Sequence, residues 1–318
     1  MGGFFMPSYP CYICKAKYKS MNRIMIAAVV VLLAFAGCKK EKTPKLIFKM
    51  KLDPTQVRLG NLGNPTPMPA GHAGQDPAFN SIVAHYIELA QGAFTQIGQG
   101  QIVYHAEETT AGGTTAIDFS KSKFAKNGEV FYELPLSSLA PGEYEYLRVS
   151  LAYQNFDVQM YIDTTISGFA IQQSVPGTVA SFVGYNTYLT SYKVKDQTLA
   201  VNGNRLQGYW GFETATNFFG FPFNYLTSGQ APQGATTVVN PIAATSPIPA
   251  GSCVVTGPFS GGKLKITGNE TEDIVVVVSL STNKSFEWID VKPDNKWEPL
   301  KGETIVDMGL RGMIPYIE

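Results

Sequence analysis

Three histidines and a methionine are the side chains of this chain best suited to hold a metal ion. His72, His85 and His105 fall within a window of 34 residues, and Met68 lies four residues before His72. Imidazole nitrogen suits zinc or copper, and a thioether beside it turns the set towards copper. His85 and His105 sit on consecutive stretches of alternating pattern. If those stretches pair as a hairpin, the two imidazoles can face one another. No H-x-H, H-x-x-H or H-E-x-x-H spacing is present, so the reading of all three as ordinary strand histidines stands beside the metal reading.

Carboxylates offer less. Glu107 and Glu108, or Glu270, Glu272 and Asp273, could do acid–base work or bind calcium, or they could sit in solvated turns. Residues 292–297 (KPDNKW) contain an Asp-Asn turn without the full ligand series of a calcium loop. There is no G-x-S-x-G elbow, no Gly-rich phosphate loop and no zincin motif. Nothing orders a catalytic pair, so the chain reads as a non-enzymatic protein.

Aromatic residues form the second candidate site. Tyr209, Trp210, Phe212, Phe219, Phe221 and Tyr225 cluster within 17 residues, interleaved with Gly and Asn. Exposed on a sheet, such rings suit stacking against a sugar or a peptide, and the glycines allow close approach. Strict alternation would instead send half of them into the core.

These residues need strands to position them. Leu46 opens an alternating run to Leu52, followed by a Gly/Pro/Asn-rich loop over 53–77. From Phe79 the period is two: Val83, His85, Ile87 and Leu89 share one face, and Ile82, Ala84, Tyr86 and Glu88 the other. Residues 101–107, 130–136 and 143–153 continue the pattern; in the last, Leu147, Val149 and Leu151 alternate with Tyr146, Arg148 and Ser150. Residues 273–280 (DIVVVVSL) are apolar on both faces, as in a strand covered twice. Short strands broken by Gly, Pro and Asn turns predict an all-β, antiparallel β-sandwich or jelly-roll, with a long loop excursion around 225–252.

The leader fixes the expected location. Arg23 precedes an uninterrupted apolar run from Ile24 to Phe35, closed by Ala36, Gly37 and Cys38. A charged start, a short apolar stretch and small residues at its end make a secretory signal. The run is too short for the roughly 20 residues of a spanning helix. Residues 35–38 (FAGC) resemble a bacterial lipobox, with Phe35 where the family prefers an aliphatic residue. That resemblance implies acylation of Cys38 and anchoring in a membrane. The expected organisation is an extension over 1–20 ahead of a start at Met21, a signal over 21–37, a lipidated tether over 38–45 and a domain over 46–318. Cys11 and Cys14 have metal-pair spacing but no second pair.

From Cys38 onward the chain carries 21 basic and 25 acidic side chains, a balance that lends no support to nucleic-acid binding. Cys253 is the only cysteine after Cys38, so the fold stands without an internal disulfide. It reads as a buried thiol, or as a ligand or reactive group. Residues 39–42 (KKEK) lack the acidic run that resembles a surface-export tag, which favours a periplasm-facing position in the cell envelope.

The order of the segments FNSIVAHYIELA, LAPGEYEYLRVSL, LQGYWGFE and DIVVVVSL resembles that of the MbnP-like copper-associated envelope proteins, over most of residues 46–291. More broadly the chain resembles lipoproteins of the Bacteroidetes type. The MbnP-like resemblance implies a β-sandwich that binds copper through histidines, partnered in some members by a di-haem enzyme that oxidises a tryptophan, a role only Trp210 could take here. Three functions therefore stand in order. The first is a lipid-anchored envelope protein binding a glycan, a peptide or a partner protein. The second is a copper-handling protein using His72, His85, His105 and Met68. The third is a hydrolase using acidic residues.

Overall fold

The computed structural model describes residues 43–166, 168–231, 253–308 and 310–318. The expectations for Cys11, Cys14, Cys38 and the signal fall outside these residues, as does the 232–252 part of the loop excursion. Within them the chain is an antiparallel β-sandwich, and no helix is long and apolar enough to cross a membrane.

One layer has β1 (Lys45–Asp53) and β17 (Ile274–Ser281) at its centre, flanked by β7 (Val130–Pro135) and β20 (Met313–Ile317). β1 and β17 run parallel, with Phe48 beside Val276 and Leu52 beside Leu280. The doubly apolar 273–280 segment is thus an inner strand, as its composition requires. β1 begins at Lys45, the last residue of the stretch 38–45 expected as a tether.

The larger layer has the order β14 (Phe221–Gln230), β13 (Tyr209–Phe218), β10 (Phe169–Phe182), β9 (Tyr146–Ile166), β3 (Ala78–Ala90) and β4 (Gln101–His105), with β15 (Val254–Pro258) alongside the start of β9. Its spine is β9, 21 residues long and so about 70 Å from end to end. One core lies between the layers and includes Phe48, Ile87, Val149, Phe182 and Val278. A second, around Phe156, Phe286, Trp288 and Trp297, packs under the far half of β9.

Smaller sheets close the ends. β5 (Glu108–Thr109), β6 (Ala116–Asp118), β11 (Asn186–Lys193) and β12 (Thr198–Leu206) form one, and β8 (Gly142–Tyr144) pairs with β16 (Leu264–Ile266). β2 (His72–Gln75), β18 (Phe286–Ile289) and β19 (Ile305–Met308) form another. β2 lies inside the stretch 53–77 read as loop; its four residues are held by β18 and not by an alternating pattern of their own. The first part of the expected 225–252 excursion is likewise strand, because β14 pairs with β13 as far as Gln230.

Alternation misplaces one face. Glu88, Arg148 and Ser150, expected opposite the apolar side of their strands, are all buried. Arg148 Nη1 donates to Glu88 Oε2 at 2.9 Å with neither side chain exposed, and its remaining donors reach Thr256 Oγ1 and the carbonyls of Ala93 and Thr95. The other Glu88 oxygen accepts from the amides of Gly98 and Gly100. The ion pair thus pins the loop between β3 and β4 over the outer face of the sheet.

Candidate functional site

His85 is displaced from a regular strand by a bulge. On β3, Val83 lies opposite Tyr153 of β9, Ala84 opposite Leu151 and Tyr86 opposite Ser150, which leaves His85 unpaired on β3 beside the likewise unpaired Ala152 of β9. A bulge re-aims the side chain of its extra residue. On the other edge of β3, the His85 carbonyl accepts from the Ala106 amide at 2.7 Å, and Tyr86 lies opposite His105. His85 and His105 come together on the hairpin, with ring centroids 5.0 Å apart.

Glu108 completes the cluster. It follows His105 by three residues at the start of β5, and its Oε1 lies 2.9 Å from His85 Nε2 and 3.6 Å from His105 Nε2. The Tyr185 hydroxyl donates to the same oxygen at 2.9 Å. Exposure is graded: the His85 side chain is 2 % exposed, Glu108 27 % and His105 49 %. The cluster therefore has a buried floor and an open mouth.

Its electrostatics favour ligand-ready forms. The hydrogen bond from His85 holds Glu108 below its ordinary carboxylate value against the opposing effect of burial, and the Tyr185 bond adds to it. Burial, then the neighbouring His85, lower the pKa of His105 against the pull of Glu108. Burial and the Glu108 bond keep the Tyr185 hydroxyl protonated and donating. At neutral pH the site therefore offers an ionised carboxylate and an uncharged His105.

The donor set fits a metal ion. One ligand atom from each of His85, His105 and Glu108 lies within 4.8 Å of the other two. Tetrahedral ligands about 2.1 Å from zinc or copper stand about 3.4 Å apart, a value that falls between the 2.9 and 3.6 Å separations of the two imidazole nitrogens from Glu108 Oε1. Two imidazoles and a carboxylate leave a fourth position towards the open His105 side. His85 Nδ1, the ring nitrogen on the side away from Glu108, is buried with no hydrogen-bond partner among the described residues.

His72 and Met68 belong elsewhere. His72 Nδ1 lies 2.5 Å from Glu287 Oε1, while Arg58 and Arg311 hold the other Glu287 oxygen. Burial opposes ionisation of Glu287, but the bonds from His72 and Arg58 and the charge of Arg311 outweigh it. The Met68 methyl packs against Gly74, on the same strand as His72. The four residues predicted from sequence thus divide into His85 and His105 at the cluster, His72 in the small β2–β18–β19 sheet and Met68 packed against that sheet. Glu108 was legible as H-x-x-E after His105; Tyr185, 77 residues away, left no local signal.

The aromatic set also divides. Tyr209 and Phe212 are buried, the first against Phe182 and Tyr192, the second against Trp297. Trp210, Phe212 and Tyr225 line an apolar cleft of about 120 Å³ with Trp297 and Met308. Phe219 and Phe221 stand exposed at the β13–β14 turn, where Phe219 meets Phe169 at 5.8 Å. The six do not form one continuous platform.

Glu270, Asp273 and Asp294 are engaged within the fold. Glu270 accepts from the Thr267 and Gly268 amides in an exposed turn, and Asp273 accepts from the Lys45 amide. In the 292–297 turn Asp294 pairs with Lys292 and accepts from the Lys296 amide. Cys253 is buried, and burial pushes its thiol up to about 12, which disfavours the nucleophilic thiolate.

Comparison with known protein families, curated proteins and solved structures finds no match to this chain.

Proposed function

We propose that this protein is a non-enzymatic cell-envelope protein, lipid-anchored through Cys38, that binds one copper(II) or zinc(II) ion through His85, His105 and Glu108. The observation that carries the reading is the meeting of two imidazoles and a carboxylate with matched separations, created by a bulge that re-aims His85. Replacing the expected thioether and third histidine by a carboxylate oxygen moves the preference from copper(I) towards borderline divalent ions. Of those, copper(II) binds the tighter at a given site.

Metal content after exposure to copper and zinc, followed by exhaustive dialysis, tests this directly. The expected result is about one ion per chain, with copper displacing zinc. Metal no higher than in a dialysed blank would end the metal reading and return attention to the aromatic cleft.

The ion should also leave on acidification. Ligand nitrogen and oxygen must be deprotonated to bind, so protons compete with metal. His105 has a depressed pKa and is a neutral ligand at pH 7. Retention is therefore full there and falls as pH drops below the ordinary histidine value of about 6.5. Protonation of Glu108, depressed below its ordinary value, completes release at lower pH. Metal retention that is flat between about pH 7 and 4 would place the ion elsewhere.

A further inference from the structure

The two layers of the sandwich each end in an open strand on the same side. β4 is the terminal strand of the large sheet and β7 the terminal strand of the four-stranded one. Tyr104 of β4 packs against Phe131 and Tyr132 of β7 at 5.0 and 4.9 Å, and a groove of about 280 Å³ runs beside them. Its lining includes residues 102–107 in unbroken succession, with Lys121, Lys123 and Tyr132 opposite. A groove lined by consecutive residues follows the edge of the backbone, since alternate side chains of a strand point to opposite faces.

The register shows which main-chain groups face it. The Ala106 amide bonds to His85, and Tyr104 lies opposite Ile87, so the amides and carbonyls of these two residues point towards β3. Those of His105 between them must point the other way. Among the described residues no strand covers that edge. The Glu107 carbonyl already accepts from Asp118, which fixes one end of the open stretch.

The charge of the groove is cationic. Lys123 holds its ammonium 4.7 Å over the Tyr132 ring, and Lys121 lines the same wall. Neither is paired with a carboxylate among the described residues. Glu107 is the one acidic residue in the lining. Both lysines are exposed and so can meet a ligand, and the Tyr132 ring holds Lys123 at the groove.

We propose that the β4–β7 seam accepts an extended acidic peptide segment, which adds to β4 as a further strand and places its carboxylates against Lys121 and Lys123. Main-chain bonds to an exposed sheet edge supply affinity in such complexes, and alternate side chains supply selectivity. The proposal does not depend on bound metal, because the Lys121 and Lys123 side chains belong to the seam alone.

The test uses the full chain and fluorescence anisotropy with a labelled, capped hexapeptide of alternating Glu and Val, compared with its Lys–Val counterpart. The acidic peptide should bind roughly tenfold or more tighter, and the Lys121→Glu/Lys123→Glu variant should reverse that order. The reversal is a gain of binding, so a misfolded variant cannot mimic it. N-methylation of alternate peptide amides in the bonding register should weaken binding by about tenfold, while methylation of the other set leaves it within about twofold. Equal binding of the two peptides, no reversal in the variant, or indifference to both methylation patterns would overturn the proposal.

Discussion

His85→Ala lowers metal affinity by at least about 100-fold, while His72→Ala leaves it within about twofold. The contrast follows from placement. His85 supplies the buried donor of the cluster and the bond that most strongly keeps Glu108 ionised, so its loss removes a ligand and weakens the remaining carboxylate. A ligand removal should exceed the 10–100-fold cost typical of an outer-shell partner. His72 is committed to Glu287, and neither belongs to the cluster. Competition against a chromophoric chelator at pH 7 measures both affinities, and a thermal melt confirms that each variant is folded. Loss of affinity in His72→Ala, or retention in His85→Ala, would show that the ion sits elsewhere. His105→Ala should fall between the two, because His105 is half exposed and water can replace it.

Arg148→Ala should destabilise the fold by about 3–5 kcal/mol, the largest stability effect expected of a single exposed-looking position in this sequence. Removing the guanidinium leaves the Glu88 carboxylate buried without its counter-charge and frees the Ala93 and Thr95 carbonyls from their donor. The double variant Arg148→Met/Glu88→Leu should recover much of the loss, because a buried ion pair can be exchanged for apolar packing at little net cost. Chemical denaturation of the two variants and the wild type separates the terms. A cost below about 1 kcal/mol for Arg148→Ala would be that of a surface pair and would contradict its burial. The proposed metal site offers an independent readout: the pinned loop leads into β4, so Arg148→Ala should also loosen the His105 side of the cluster.

The sequence by itself determined the class of fold. Period-two alternation from Phe79 onward, turns rich in Gly and Pro, and the doubly apolar 273–280 segment each report a property that is local to a strand. A segment apolar on both faces has to be inside, and Val276, Val278 and Leu280 are. Alternation also put His85 and His105 on neighbouring strands, but the register sets Tyr86 opposite His105, so regular pairing alone would leave the two imidazoles on opposite faces.

Tertiary structure decided the rest. Whether the polar side of β9 meets water depends on what covers it, and the loop drawn in by Glu88 and Arg148 does so from outside the strand itself. The aromatic run at 209–225 looks continuous in one dimension, yet pairing and burial send Tyr209 and Phe212 inward and leave Phe219 and Phe221 at a turn. His72 is near His85 in sequence but is bound to a partner 215 residues away. Glu108 joins the cluster from β5 and Tyr185 from the turn between β10 and β11, and the irregularity at His85 arises only where β3 meets β9, with Ala152 of β9 skipped beside it. A register shift is a property of two strands paired, so neither strand alone carries it, and that shift is what turns a strand histidine into a candidate ligand.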